Sequence, residues 1–93
     1  MNRFIEKNID EYFARKLKKR ILDSLCCYYI SKRIIFNKKF VTVEIKSKKW
    51  KEQYYVTIKG IPYEECYKYV LDENFYSKFI ITLEERIEEL IND

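Results

Sequence analysis

Histidine is absent from the 93 residues, and glycine and proline occur once each. Without imidazole there is no Ser-His-Asp or Cys-His nucleophile pair, no zinc-protease helix and no imidazole base. A single glycine, Gly60, excludes both a Walker phosphate loop and a dinucleotide-binding turn, because each needs several glycines to bring backbone amides against phosphate. Cysteine is sparse and odd in number, with Cys26, Cys27 and Cys66. Adjacent cysteines do not readily bond to each other, and there is no C-x-x-C pair, so neither a disulfide framework nor a metal site is expected. The thiols read as small buried hydrophobes, and no cofactor is expected. The N-terminal stretch has no apolar run of signal-peptide length, and no window approaches the roughly 20 apolar residues of a membrane span. Cytoplasmic localisation is the resulting expectation.

What is present is one domain's worth of chain, 1–93, with 37% charged and 17% aromatic side chains. A chain this short buries only a little over roughly 60% of the surface its unfolded form exposes, so oligomerisation or a partner would help it, and a homodimer is expected. Ile5, Ile9, Phe13, Leu17, Ile21 and Leu25 recur at i, i+4, which predicts one long N-terminal helix. Asn2 or Asn8 is its expected cap, and Arg15, Lys18, Lys19 and Leu22 form its outer face. Arg33–Phe36 reads as a short strand. Val41, Val43 and Ile45 then alternate with polar residues, as do Tyr54, Val56 and Ile58, predicting an antiparallel hairpin over about 40–59. Gly60-Ile61-Pro62 reads as the end of that strand and the start of a short helix reaching about Leu71. Asp72-Glu73-Asn74 reads as a break. The last helix is expected to start from a Thr82/Glu85 capping box or from a cap at Ser77, with 77–81 as its first turns or as a brief strand. The fold class is therefore α+β: a long helix, a two- or three-stranded antiparallel sheet and two C-terminal helices on one face of the sheet.

The net charge of +4 conceals a strong asymmetry. Residues 15–59 carry 14 Lys/Arg against 3 acidic side chains, a net +11, whereas residues 60–93 carry 3 against 9, a net −6. Lys38, Lys39, Lys46, Lys48, Lys49, Lys51 and Lys59 gather on the hairpin, with Trp50 and Tyr55 among them. Lysines neutralise phosphates and release counterions while aromatic faces give bases a stacking surface, so this hairpin is the candidate contact surface for nucleic acid or a nucleoprotein. Lysine outnumbers arginine there, which favours backbone contact over base reading. A second candidate surface is the acidic face of the last helix, Glu84, Glu85, Glu88 and Glu89, facing a protein partner. Nine tyrosines exceed what so small a core can hold, and tyrosine at a surface suits an interface.

One motif in the chain bears on catalysis. Glu44-Ile45-Lys46 matches the E-x-K half of a metal-dependent nuclease site, but residues 33–39 supply no second carboxylate, and a cross-face pairing of Glu44 with Lys46 or Lys59 is the simpler expectation. The expected function is thus binding and not catalysis. In its richness in Lys, Ile, Tyr and Asn the chain resembles accessory products of mobile genetic elements with AT-rich genomes. That resemblance implies the alternative of a stoichiometric inhibitor of a host nucleoprotein complex, of the anti-CRISPR or anti-restriction type.

Overall fold

The computed structural model describes residues 3–26, 31–36, 39–46 and 54–92. The N-terminal helix, α1, spans Arg3–Ser24. No glycine or proline interrupts it, but its buried face differs from the expected stripe. Successive i+4 steps drift by about 40° around a helix of 3.6 residues per turn, so a strict i+4 row cannot stay on one side. The fully buried positions are Ala14, Leu17, Ile21 and Leu25, while Ile9 is half exposed. Asn8 lies within the helix and so does not cap it. At the other end, Lys32 Nζ donates to the Leu25 carbonyl at 2.7 Å, placing a cation where the helix dipole is negative.

Three strands follow: β1 at Ser31–Phe36, β2 at Phe40–Lys46 and β3 at Val56–Pro62. They form an antiparallel sheet in the order β1-β2-β3. Alternation sends Ile34, Val41, Val43, Ile45 and Ile61 to the helix side, where all five are buried. The strand β3 does not alternate throughout. Val43 pairs with Lys59 and Glu44 with Thr57, so Ile58 is an extra residue in β3, a β-bulge. The bulge shifts the phase by one residue, which brings Ile61 opposite Val41 and into the core.

Gly60 and Pro62 therefore belong to the strand instead of ending it. Gly60 lies within β3 with no positive φ, and Pro62 is tolerated because, among the described residues, β3 lies at the sheet edge. Helical structure begins one residue after the expected point, with a 3₁₀ turn at Tyr63–Glu65 and then α2 at Cys66–Leu71.

The last helix, α3, spans Glu73–Ile91 and starts well before both expected caps. Asp72 ends α2 and caps α3 at once: its backbone is extended, and its carboxylate accepts the Phe75 N–H at 3.0 Å. Ser77 is interior to α3, and so is Thr82, whose hydroxyl donates to the Lys78 carbonyl at 3.0 Å. Tyr76, Phe79, Leu83 and Ile87, at i, i+3, i+7 and i+11, face the core. Side chains of α1 secure both later helices. Ser24 Oγ lies 2.7 Å from Tyr76 Oη, and the Arg20 guanidinium sits 3.8 Å above the Tyr76 ring, ion-pairs with Glu73 and reaches the Tyr69 carbonyl. No helix of the described residues is long and apolar enough to cross a membrane.

Two outcomes follow from this packing. Asp72→Ala removes the cap of α3 and is expected to cost about 1 kcal/mol in urea denaturation, whereas Thr82→Ala, at an exposed interior position, is expected to gain a few tenths; the reverse order would return the helix start to Thr82. Cys66 is fully buried, and burial, reinforced by Asp10, Glu64 and Glu65, pushes its thiol from the ordinary 9.0 up to about 11. A raised folded value means that the neutral thiol's contribution is intact below pH 9 and is lost as pH climbs through about 11. The phenols of Tyr63, Tyr69 and Tyr76, also raised by burial, act in the same direction at higher pH. Stability should thus fall as pH rises from 9.0 through about 11, and less steeply in Cys66→Ala; identical slopes in the two proteins would show that the thiol does not titrate as described.

Candidate nucleic-acid interface

The sheet face turned away from the core takes its chemistry from one cross-strand row. Arg33 of β1 pairs with Glu44 of β2, which pairs with Thr57 of β3, and the period of two points all three side chains the same way. Arg33 Nε donates to Glu44 Oε1 at 2.7 Å, and the Thr57 hydroxyl donates to Glu44 Oε2 at 3.0 Å. Glu44 thus pairs with Arg33 and Thr57, and not with Lys46 or Lys59. Among the described residues no group of three His, Cys, Asp or Glu side chains is placed to hold a metal ion.

Beside this row lies a cation–aromatic cluster. The Arg33 guanidinium stands 3.8 Å from the centroid of the Tyr55 ring, and Lys46 Nζ stands 5.1 Å from the same centroid. Such contacts contribute about 0.5–1 kcal/mol at exposed sites, and they hold two cations beside a flat ring. Glu44 fixes the guanidinium through Nε, which leaves the outer edge of Arg33, half exposed, to meet an anion. With Arg33 charge-paired to Glu44, the assembly offers phosphates the Lys46 ammonium and the remaining guanidinium N–H groups, and offers a base the plane of a guanidinium or a phenol.

The expected contact residues divide. Lys46 and Tyr55 come together in this cluster. Lys39 is exposed just before β2, where its carbonyl accepts the Tyr63 N–H at 3.0 Å. Lys59 does not join them. The bulge at Ile58 places Lys59 opposite Val43, on the helix side of the sheet, and both Ile58 and Lys59 line a groove against α3. Lys38, Lys48, Lys49, Trp50 and Lys51 lie outside the described residues. On α3, Glu85, Glu88 and Glu89 are exposed and Glu84 is half-buried, with Glu89 3.2 Å from Arg86.

Two contributors were missed among the candidate residues. The sequence places Arg33 on a strand and no more, whereas its cross-strand position beside Glu44 makes it the organiser of the face. On α1, Tyr12, Arg15, Lys16 and Lys19 line a shallow concavity together with the Glu11 carboxylate, and Lys16 Nζ lies 5.4 Å from the Tyr12 ring centroid. The i, i+3/i+4, i+7 spacing of these four was the available signal. The chain matches no family model, no curated protein and no solved structure.

A double-mutant cycle on Arg33→Ala and Tyr55→Leu checks the cluster. We expect a coupling of about 0.5–1 kcal/mol in thermal or urea unfolding; additive effects would mean that the ring and the guanidinium do not interact in solution.

Proposed function

We propose that this chain is a non-enzymatic binding protein that contacts nucleic acid, free or within a nucleoprotein, through the outer face of its sheet and the lysine-rich connection between β2 and β3. The observation that carries this reading is the Arg33–Tyr55–Lys46 cluster, set on the sheet face opposite the core and adjoining a segment with Lys48, Lys49 and Lys51 in its sequence. The basic concavity of α1 gives a second set of phosphate partners. Lysine neutralises phosphate as a point charge, so binding depends on charge and stacking more than on base identity. The free thiols Cys26 and Cys66 suit a reducing cytoplasm.

The reading has a quantitative signature. With about 4 to 6 phosphates neutralised, a log–log plot of affinity against salt has a slope of roughly −3 to −5. Fluorescence anisotropy with a labelled single- or double-stranded oligonucleotide measures that slope. Arg33→Ala with Lys46→Ala should flatten it by roughly 1 to 2 while the protein stays folded, and the Lys48/Lys49/Lys51→Ala variant should lose most of the affinity. Absence of binding at low salt, near 50 mM, would refute the proposal.

A further inference from the structure

The groove that receives Lys59 lies on the other side of the sheet from the cluster just described, and its construction is different. One wall is β3 at its bulge, and the other is a flank of α3. Phe75, Lys78, Thr82 and Arg86 follow one another at i, i+3, i+7 and i+11, so they form a single row beside the core-facing residues of that helix. The space between the walls is about 440 Å³ and lies open to solvent.

The floor of the groove is built from aromatic and aliphatic side chains. Tyr69 packs against Phe75 with centroids 4.8 Å apart and against Phe79 at 4.6 Å, and Ile58 closes the opposite side. Phe75 remains 41% exposed in this setting, an aromatic surface that the fold itself leaves uncovered. Around the floor stand three cations, Lys59, Lys78 and Arg86, and among the described residues no carboxylate lines the groove. Lys78 and Arg86 are two of only three basic residues in the acidic stretch 60–93, so the positive rim is local to the groove. Arg86 pairs with Glu89 at 3.2 Å, whereas Lys59 and Lys78 ion-pair with no carboxylate among the described residues.

We propose that this groove docks an acidic segment of a partner protein, with one apolar side chain seated on the Tyr69–Phe75–Phe79 floor and flanking carboxylates on Lys59, Lys78 and Arg86. Charge complementarity selects an anionic occupant. The floor, built from aromatic and aliphatic side chains, gives an apolar anchor a seat between the cations. Among the described residues β3 has a strand neighbour on one side only, so an extended segment running along the groove also meets unpaired strand backbone. The site is independent of the nucleic-acid reading, since it uses none of Arg33, Lys46 or Tyr55.

The test uses the whole chain and a fluorescein-labelled peptide of about ten residues, rich in Glu with a central Phe, titrated by anisotropy. Binding is expected to weaken about tenfold or more with Lys59→Glu/Lys78→Glu and about fivefold with Phe75→Ser. It should persist in Lys59→Arg/Lys78→Arg, in Phe75→Leu and in Arg33→Ala/Lys46→Ala. All the replaced groove side chains are exposed, and circular dichroism melts verify that each variant is folded. Three results would overturn the assignment: no peptide binding by the unaltered chain, equal binding by the charge-reversed variant, or equal binding of a peptide whose Phe is replaced by Ser. Displacement of the peptide by a single-stranded oligonucleotide would also overturn it and would give the groove to nucleic acid. Self-association abolished by the same charge reversal would give it to a second copy of this chain.

Discussion

One extra residue in an edge strand decides how this chain distributes its charge. With strict alternation, β3 would turn Val56 and Ile58 inward and then Gly60 and Pro62, leaving Ile61 in water and Lys59 beside Tyr55. Burying Ile61 fully is worth about 1.5–3 kcal/mol, and a domain of this size has few such contributions to spare. The bulge at Ile58 recovers that burial by shifting the phase, and Lys59 crosses to the helix side as a consequence. The outer face then keeps a compact set of Arg33, Glu44, Lys46, Tyr55 and Thr57, while the helix side acquires a cationic groove. Two chemically separate surfaces thus originate in one packing requirement.

The helices act on the same balance. Arg20 of α1 reaches Tyr69, Glu73 and Tyr76, so a single side chain spans the junction of α2 and α3 and orients the helix whose flank forms the groove. Its guanidinium is stacked on a ring and paired with a carboxylate, an arrangement that suits arginine and that lysine's compact ammonium reproduces poorly. Asp72 sets where α3 begins, and with it which residues fall on the core side and which on the groove side. Capping, stacking and the bulge are each modest in energy. Together they fix which side chains face the core and which face the groove.

The α+β class and the element order could be read from the sequence because they rest on local periodicity. Val41, Val43 and Ile45 alternate cleanly, and the long unbroken helix over α1 has no competitor. The misplaced boundaries have specific causes. Asp72 is both a helix terminator and the best cap in its neighbourhood, and only the terminator was recognised. The apolar spacing 56, 58, 61 contained the bulge, but the Gly60 and Pro62 flanking Ile61 suggested a strand end. In the candidate interface the lysines were visible as composition, whereas the cross-strand neighbours that give them a role depend on register. Arg33 and Glu44 are eleven residues apart, and nothing in the order of the letters sets them side by side.

We propose that nucleic acid meets the outer sheet face and not the groove. Amide chemical-shift mapping with an oligonucleotide tests it most directly, because every element reports at once. The claim predicts that the largest perturbations fall on Arg33, Glu44, Lys46, Tyr55 and Thr57, with Ile58, Phe75, Phe79 and Leu83 little changed. Perturbations centred on Lys59, Lys78 and Arg86, with the Arg33–Tyr55 cluster silent, would contradict it.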